Sequence, residues 1–555
     1  MKNIFLYTIL VCSLFAACQS VGSHNDTDEN DAKGKKNVSK RDYSINKSNS
    51  YSDLFFDSTA MEKYIASKQL PDSIARRIRS FYNTRNYQFA WFSSDGLSEQ
   101  TYAFWNLHDY VTTYDNDTTL KDKKLQKRMD ALVAEENLSP RADASYINTE
   151  LTLTEHFIRY ILNNYEKGYV KRKEMERFIP FKRQDPLFLA DSLLNKKHKD
   201  DKYFEDVHPP YRALKEQLGK YYNVAKGGGW PQITPIKKSL KKGVSDPVIT
   251  MIKRRLQITG EMIGKDTSQV FTDTLENAVR TFQTTMGYKP DGVITVQLVK
   301  DMNVPAIERV KQILLNMGRM RWMPIEPDGR LIIVNIPEFA LHVYENKKKA
   351  WDMDVVVGKE GHNTTMFSGD LNQIVFSPYW NVPPSIVQKE ILPKLASNPG
   401  YLASQNMEQV GTDENGVPKI RQLPGPGNSL GKVKFLFPNS FNIYFHDTNA
   451  KSLFERDKRA FSHGCIRLAE PEKMAHYLLR DQPEWTPEKM EDAMNSGKEQ
   501  YVKLKNPVPV IITYYTAWVD DNGQLNFRDD IYSHDETVGS KMFIGGYSEQ
   551  IASRK

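Results

Sequence analysis

The stretch Phe461-Ser462-His463-Gly464-Cys465-Ile466-Arg467-Leu468 holds the one cysteine found beyond the first eighteen residues of the chain. His463 stands two positions before that thiol. A second histidine, His446, ends the apolar run upstream, with fifteen residues between it and Ser462. A lone thiol with histidines in reach is the raw material of a cysteine nucleophile. A thiol attacks a carbonyl as thiolate, and an ordinary pKa of about 8.5 leaves it mostly protonated at neutral pH, so it needs a base within hydrogen-bond reach. From the residues alone, either His446 or His463 can be that base. Gly464 permits a strained turn, which suits an oxyanion hole made from the backbone N–H groups of Gly464 and Cys465. A metal centre would need three or four ligands, and one cysteine with two histidines lacks a supporting cysteine pair or a helical HExxH. The papain-like order, thiol early and histidine later, is reversed here.

Around this stretch the sequence reads as β-rich. Leu331–Ile336, Leu341–Tyr344, Trp351–Val357 and Asn372–Phe376 have strand composition, as do Lys432–Phe437 and Phe441–His446, joined by Pro438-Asn439-Ser440. A late hairpin is expected from Val508–Val519 and Gln524–Phe527, with Asn522-Gly523 at its turn. Between about 385 and 430 the chain is loop-rich after a helical Val387–Leu395, and an insertion of this length in a β domain is usually functional, often a lid. Further out, Gly227-Gly228-Gly229-Trp230-Pro231 marks a boundary. Residues 51 to about 225 show apolar spacing of three and four, as in Leu151–Tyr165 and Tyr211–Tyr222, and read as helical. His108, His156, His198 and His208 are scattered there without metal-ligand spacing and read as structural. A compact unit at 245–303 has a helix opened by Asp246-Pro247, a second capped by an Asp273/Glu276 pair, the turn Pro290-Asp291-Gly292-Val293, and a short third helix capped by Thr295.

At 555 residues the chain is too long for one core. Its 39% hydrophobic and 26% charged residues are ordinary for a globular protein, and a formal charge of +7 suits any anionic polymer. The first residues choose among polymers. Met1-Lys2-Asn3 and the apolar run Ile4–Ala17 form an export signal too short to span as a mature helix. The signal ends Ala16-Ala17-Cys18, which resembles a bacterial lipoprotein signal with Cys18 as the lipidated residue. Residues 18–50 are polar and read as a disordered tether. An exported protein leaves nucleic acid out as a partner, and an unpaired Cys465 in an oxidising compartment is a liability unless it is used.

The spacing His446, fifteen residues, Ser462-His463-Gly464-Cys465-Ile466-Arg467 resembles the active-site motif of YkuD-type L,D-transpeptidases. Asn381-Val382-Pro383-Pro384-Ser385-Ile386, Glu390-Ile391-Leu392-Pro393 and Asn398-Pro399-Gly400-Tyr401 resemble the large YcbB-like branch. The unit at 245–303, with its Ala-Val-x-x-Phe-Gln at 278–283, resembles the small three-helix peptidoglycan-binding domain. The resemblance implies an α+β multidomain fold: signal at 1–17, tether at 18–50, helical scaffold at 51–229 and a peptidoglycan-binding-like domain at 243–305. It then implies a mainly-β catalytic domain at 328–520 with a capping insertion at about 385–430, and a C-terminal hairpin and tail at 521–555.

The resemblance further implies Cys465 as nucleophile, His446 as general base, His463 shaping the site, and the Gly464 backbone at the oxyanion. Arg467, Ser462 and Tyr444 would line the substrate pocket. The implied reaction is 3→3 cross-linking of peptidoglycan through a thioester with a tetrapeptide stem, without cofactor or metal, and with carbapenems as acylating mimics of the donor. The implied partners are donor and acceptor stem peptides and, through a lipid on Cys18, the periplasmic face of a bacterial membrane, the outer one expected. A carboxypeptidase, or an enzyme anchoring proteins to peptidoglycan, shares the first half-reaction. A non-catalytic wall-binding lipoprotein is the reading of another class. Lipidation predicts that Cys18→Ala moves the protein from the membrane fraction to the soluble one; an unacylated mature N-terminus elsewhere would refute it.

Overall fold

The computed structural model describes residues 38–114, 118–135, 138–165, 178–195, 209–323, 329–439 and 441–547. Cys18 and the signal, together with His198 and His208, lie outside the described residues.

The described residues between 58 and 226 form the helical scaffold, with helices at Ser58–Lys68, Asp72–Asn83, Glu99–Tyr114, Lys123–Ala134, Ala144–Tyr165, Pro186–Leu194 and Pro209–Lys226. Their shared core is aromatic: Phe89, Trp91, Phe92, Phe104 and Phe157 are all fully buried, and they meet edge-on or tilted, as with Trp91 and Phe157 at 5.6 Å. Glu150 is the polar pin of that core. Its carboxylate accepts the backbone N–H of Ala90 at 2.6 Å and of Trp91 at 3.0 Å, and the Tyr82 hydroxyl at 2.9 Å. Burial pushes its pKa up to about 7. His108 and His156 are buried against each other, 3.2 Å apart, and are structural.

The expected tether extends too far. Residues 39–50 fold onto the scaffold: Asp42 N–H donates to Asn83 O, Ile45 is fully buried, and Ser50 pairs with Lys182. The reason is turn chemistry rather than hydrophobicity. Asp42 and Asn46 accept the backbone N–H of Ser44 and Ser48, two residues on, and so satisfy a segment that has few apolar groups.

The unit that follows has the three expected helices, Val248–Thr259, Asp273–Thr285 and Val296–Met302. The cap of the middle one is Thr272, whose hydroxyl accepts Leu275 N–H, and not Asp273, which lies in the first turn. Next comes a helix that the sequence reading left unassigned, Ala306–Met320. It is buried on nearly every side, polar residues included. Its Gln312 donates to Thr516 O and Arg528 O, Asn316 exchanges hydrogen bonds with Thr516, and Arg319 binds Glu99 on one side and Asp535 on the other.

The β region is one nine-stranded sheet. In chain order its strands are β1 (Arg330–Asn335), β2 (Ala340–Glu345), β3 (Lys348–Gly358), β4 (Phe367–Phe376), β5 (Val433–Leu436), β6 (Phe445–His446), β7 (Ala460–Ser462), β8 (Ile466–Leu468) and β9 (Gln500–Thr513). The order is β7-β3-β8-β6-β5-β4-β9-β1-β2, and β2 also pairs with β3, so all but β7 close on themselves as a barrel. Closure removes free edges. Inward residues such as Ile332, Val343, Val355, Ile374, Phe435, Phe445, Ile466 and Val510 are fully buried.

Two strand readings change. Residues 441–444 are not strand, because the Asn439 side chain accepts Phe441 and Ile443 N–H and donates to Phe437 and Ile443 carbonyls, which curls the chain. Val508–Thr513 is the end of β9, and the hairpin is Ala517–Val519 with Leu525–Phe527. The segment after it is no loose tail. A helix at His534–Met542 follows, and Val538, Phe543 and Tyr547 join the core that contains the scaffold.

The insertion is more regular than its composition suggested. Turns at Pro384–Ile386, Val387–Ile391, Leu392–Ser397 and Tyr401–Ser404 are followed by Met407–Thr412 and Pro418–Gln422, which pair with each other, the latter also with Trp380–Asn381. It owns a small core of Val382, Ile386, Val387, Ile391 and Ile420.

Arg319 sets the stability prediction. Its side chain is 7% exposed and Asp535 is fully buried. Removing one partner of a buried ion pair leaves the other uncompensated, at a cost of about 3–5 kcal/mol. Arg319→Ala, which takes the cation from both Glu99 and Asp535, is expected to lower the free energy of unfolding by that amount, and an unchanged denaturant midpoint would show the bridge to be dispensable.

Candidate active site

The site begins with strand alternation. β6 and β8 run parallel as neighbours, with Phe445 opposite Ile466 and His446 opposite Arg467. Phe445 and Ile466 point into the barrel core, so the residues on either side of them point outward. That places His446 and Arg467 on one outer face, with Tyr444 and Cys465 just before the two strands on the same side. Ile466 N–H donates to Tyr444 O at 3.1 Å and carries the register up to the thiol.

His446 is 4% exposed. Its Nδ1 lies 2.5 Å from its neighbour's carbonyl, Asp447 O. A carbonyl only accepts, so Nδ1 carries the proton and Nε2 keeps its lone pair. Burial, then the nearby Arg467 charge, lowers its pKa to about 4, and the ring is neutral at pH 7. The Asp447 carboxylate makes no hydrogen bond to the ring, and its charge only partly offsets the burial. It accepts Lys432 N–H and Thr448 N–H and pairs with Lys451.

Cys465 is half-buried and free. Its sulfur lies 3.7 Å from Asn442 O. Burial pushes the thiol up, while hydrogen bonds from Tyr444 and the Arg467 charge work the other way. The resting pair is therefore neutral thiol and neutral imidazole. Tyr444 is held protonated by burial and by its contact with Cys465. Arg467 has an Nε that is buried and without a hydrogen-bond partner among the described residues, and burial lowers its pKa.

The turn 462–465 is built from inside. Gly464 sits at φ +112°, in the region that favours glycine. The Ser462 hydroxyl donates to Cys465 O at 2.5 Å and accepts Gly464 N–H at 3.1 Å. This revises two expectations. Ser462 is 2% exposed and spends its hydroxyl on the turn instead of on a ligand. The Gly464 N–H is likewise occupied, by that same Ser462 hydroxyl; the Cys465 N–H has no partner among the described residues.

Beneath the turn lie residues that the sequence reading missed. The Thr364 hydroxyl donates to Gly464 O at 2.8 Å and accepts Gly358 N–H at 2.9 Å. The Tyr532 hydroxyl donates to Gly358 O at 2.5 Å and lies 3.3 Å from Thr364 N. Gly358 is required by close approach, since a Cβ there would strike the carbonyl oxygen of His362. No spacing signal links 358, 364, 464 and 532; only the fold brings them together. Above the turn, His463 is one-third exposed, packs against the His362 ring at 4.8 Å, and places Nε2 at 2.9 Å from Glu390 Oε1 of the insertion. Burial and the neighbouring His463 charge hold His362 below the usual histidine range. Among the described residues no cluster of histidine, cysteine and carboxylates could hold a metal.

The family profile of the YkuD L,D-transpeptidase catalytic domain matches residues 329–512, and a profile described as a scaffold domain matches residues 76–218. A Haemophilus influenzae protein provisionally named an L,D-transpeptidase is 30% identical over 243 residues, which is 41% of this chain and 49% of that one. The chain thus matches about half the length of that curated relative. Among solved structures, an L,D-transpeptidase from Mycobacterium smegmatis aligns over 33% of this chain and 58% of its own, at 14% identity and a TM-score of 0.19. One from Stackebrandtia nassauensis aligns over 50% and 97%, at 13% identity and a TM-score of 0.21. The profile match takes in all nine strands but for the last residue of β9 and includes the reactive turn, so residues 329–512 match the family of YkuD L,D-transpeptidase catalytic domains.

Proposed function

We propose that the protein is a peptidoglycan L,D-transpeptidase that forms 3→3 cross-links through a thioester on Cys465. The observation that carries this reading is the pairing of His446 and Arg467 on adjacent strands beside a free thiol, with His446 neutral and its Nδ1 fixed on Asp447 O. In the first step Cys465 Sγ attacks the carbonyl carbon of the third stem residue. A C–S bond forms, the C–N bond to the terminal D-Ala breaks, and His446 Nε2 takes the thiol proton and passes it to the departing amine. In the second step the side-chain amine of another stem attacks the thioester. A C–N bond forms, the C–S bond breaks, and the proton returns to sulfur through His446.

The Cys465 N–H and the Tyr444 hydroxyl are the donors for the oxyanion, Gly464 N–H being engaged. The unpartnered Arg467 guanidinium receives a stem carboxylate. The insertion excludes water, which would otherwise hydrolyse the thioester. The three-helix unit holds the polymer, and a lipid on Cys18 holds the protein at a membrane.

Mass spectrometry of muropeptides after incubation with tetrapeptide-rich peptidoglycan tests the reading. Cross-linked dimer is expected, and none with Cys465→Ala; tripeptide without dimer would favour a carboxypeptidase, and no change would leave a wall binder. A second test is the pH dependence of carbapenem acylation at Cys465. A base with its pKa lowered to about 4 stays unprotonated as pH falls through 6.5, so the acid limb is expected near pH 4. A limb at the ordinary histidine value would mean that His446 is not the base.

A further inference from the structure

The helical part of the insertion, residues 384–404, meets the barrel through one hydrogen bond among the described residues, that between Glu390 and His463. The roots of the insertion are held separately. Asn428 donates to the Pro378 carbonyl, and Glu499 accepts Tyr379 N–H. Glu390 lies in a widened, π-type turn at Val387–Ile391, where Leu392 N–H reaches back to Val387 O. Pro393 has no N–H to give the Lys389 carbonyl, so the regular ladder cannot continue there, and insertions of this kind recur at functional sites. Val387 and Ile391 remain in the insertion's core, 1% and 2% exposed, while Glu390 is turned out towards the barrel.

We infer that Glu390 is a positioning residue for the reaction: it fixes the His463 ring over the reactive turn and, through that ring, holds the lid shut. A carboxylate only accepts, so it sets His463 with Nε2 as donor. His362 closes the other side of the ring. The groups shown to face His463 are therefore Glu390 from the insertion and the His362 ring from the loop after β3, and Lys359 and Lys389 act on that His362 ring. Glu390 touches neither the sulfur nor His446 in any hydrogen bond among the described residues, so its effect passes through His463. This inference rests on the transpeptidase reading for its chemistry but not for its geometry.

The test uses the full chain, with Glu390→Ala, Glu390→Gln, His463→Ala and the Glu390→Ala/His463→Ala double variant. One arm is hydrogen exchange, which needs no activity. Glu390→Ala is expected to speed exchange in 384–404 with the barrel strands unchanged, the latter showing that the fold is intact. The other arm is the rate at which a carbapenem acylates Cys465, read by intact mass. Glu390→Ala is expected to slow it about tenfold. Glu390→Gln, which keeps an acceptor oxygen, should recover most of the rate. In the His463→Ala background, Glu390→Ala should add nothing further. The inference is overturned if Glu390→Ala acylates and exchanges like the wild type, if Glu390→Gln is as slow as the alanine variant, or if the two losses simply multiply. A wild-type Cys465 that takes no carbapenem would count against the transpeptidase reading, and the exchange arm alone would then decide the latch.

Discussion

One guanidinium joins three distant parts of the chain. Arg319, near the end of the buried helix Ala306–Met320, binds Glu99 of the scaffold in a two-pronged contact at 2.8 and 3.0 Å and Asp535 of the C-terminal segment at 2.5 Å. Burial acts to discharge it, but the two carboxylates outweigh that and hold it charged. Asp535 is itself satisfied by Thr516 and Tyr547 hydroxyls. Such a triad is not a cheap source of stability, since charge must first be taken out of water, but it is a strong source of register. It fixes how the scaffold, the axial helix and the segment beyond the barrel meet. Its partners lie 220 and 216 residues from Arg319, so the triad forms only as non-local contacts form.

The reactive site follows from a simpler rule. Side chains on a strand alternate, and two parallel neighbours in register bring like faces together. Burying Phe445 and Ile466 in the barrel obliges His446, Tyr444, Cys465 and Arg467 to share the outside. The core residues thus position the chemistry. What alternation cannot do is hold a four-residue turn still, and this falls to Ser462, Thr364 and Tyr532, all of which use hydroxyls on backbone groups.

Much of this was legible in the sequence. The helical period of 151–165, the strands around 331–357 and 372–376 and the three helices after residue 247 are local patterns, and the structure has them, the first as part of a longer helix at Ala144–Tyr165. The motif at 461–468 identified the β domain because a thiol and a histidine at that spacing are rare together. The failures have physical causes. Ala306–Met320 was left unassigned although Ala306, Val310, Ile313, Leu314 and Met317 recur at helical spacing, and what the pattern could not show is that its polar face, with Glu308, Gln312, Asn316 and Arg319, is buried as well. β9 escaped for its first half, where Pro507 and the alternating lysines interrupt the apolar pattern, whereas the strand accommodates Pro507 at an irregularity between Lys503 and Val508. Residues 39–50 looked unable to fold because their stabilisation comes from side chain to backbone hydrogen bonds, which hydropathy does not register. The Gly464 N–H was assigned to the oxyanion because the sequence cannot show that Ser462 takes it first.

Tyr532 has a temporal consequence. The floor of the reactive turn is closed by a residue synthesised well after Cys465 and outside the stretch that matches the catalytic family profile. A growing chain that has completed every barrel strand still lacks the hydroxyl that pins Gly358 beneath Gly464. Until that residue arrives, Cys465 sits on an unbraced loop, so an incomplete chain would carry its thiol without the shape that makes it useful. The same dependence means that the boundary of the fold and the boundary of the family profile are different places: a piece cut at residue 512 would keep the motif and lose its support.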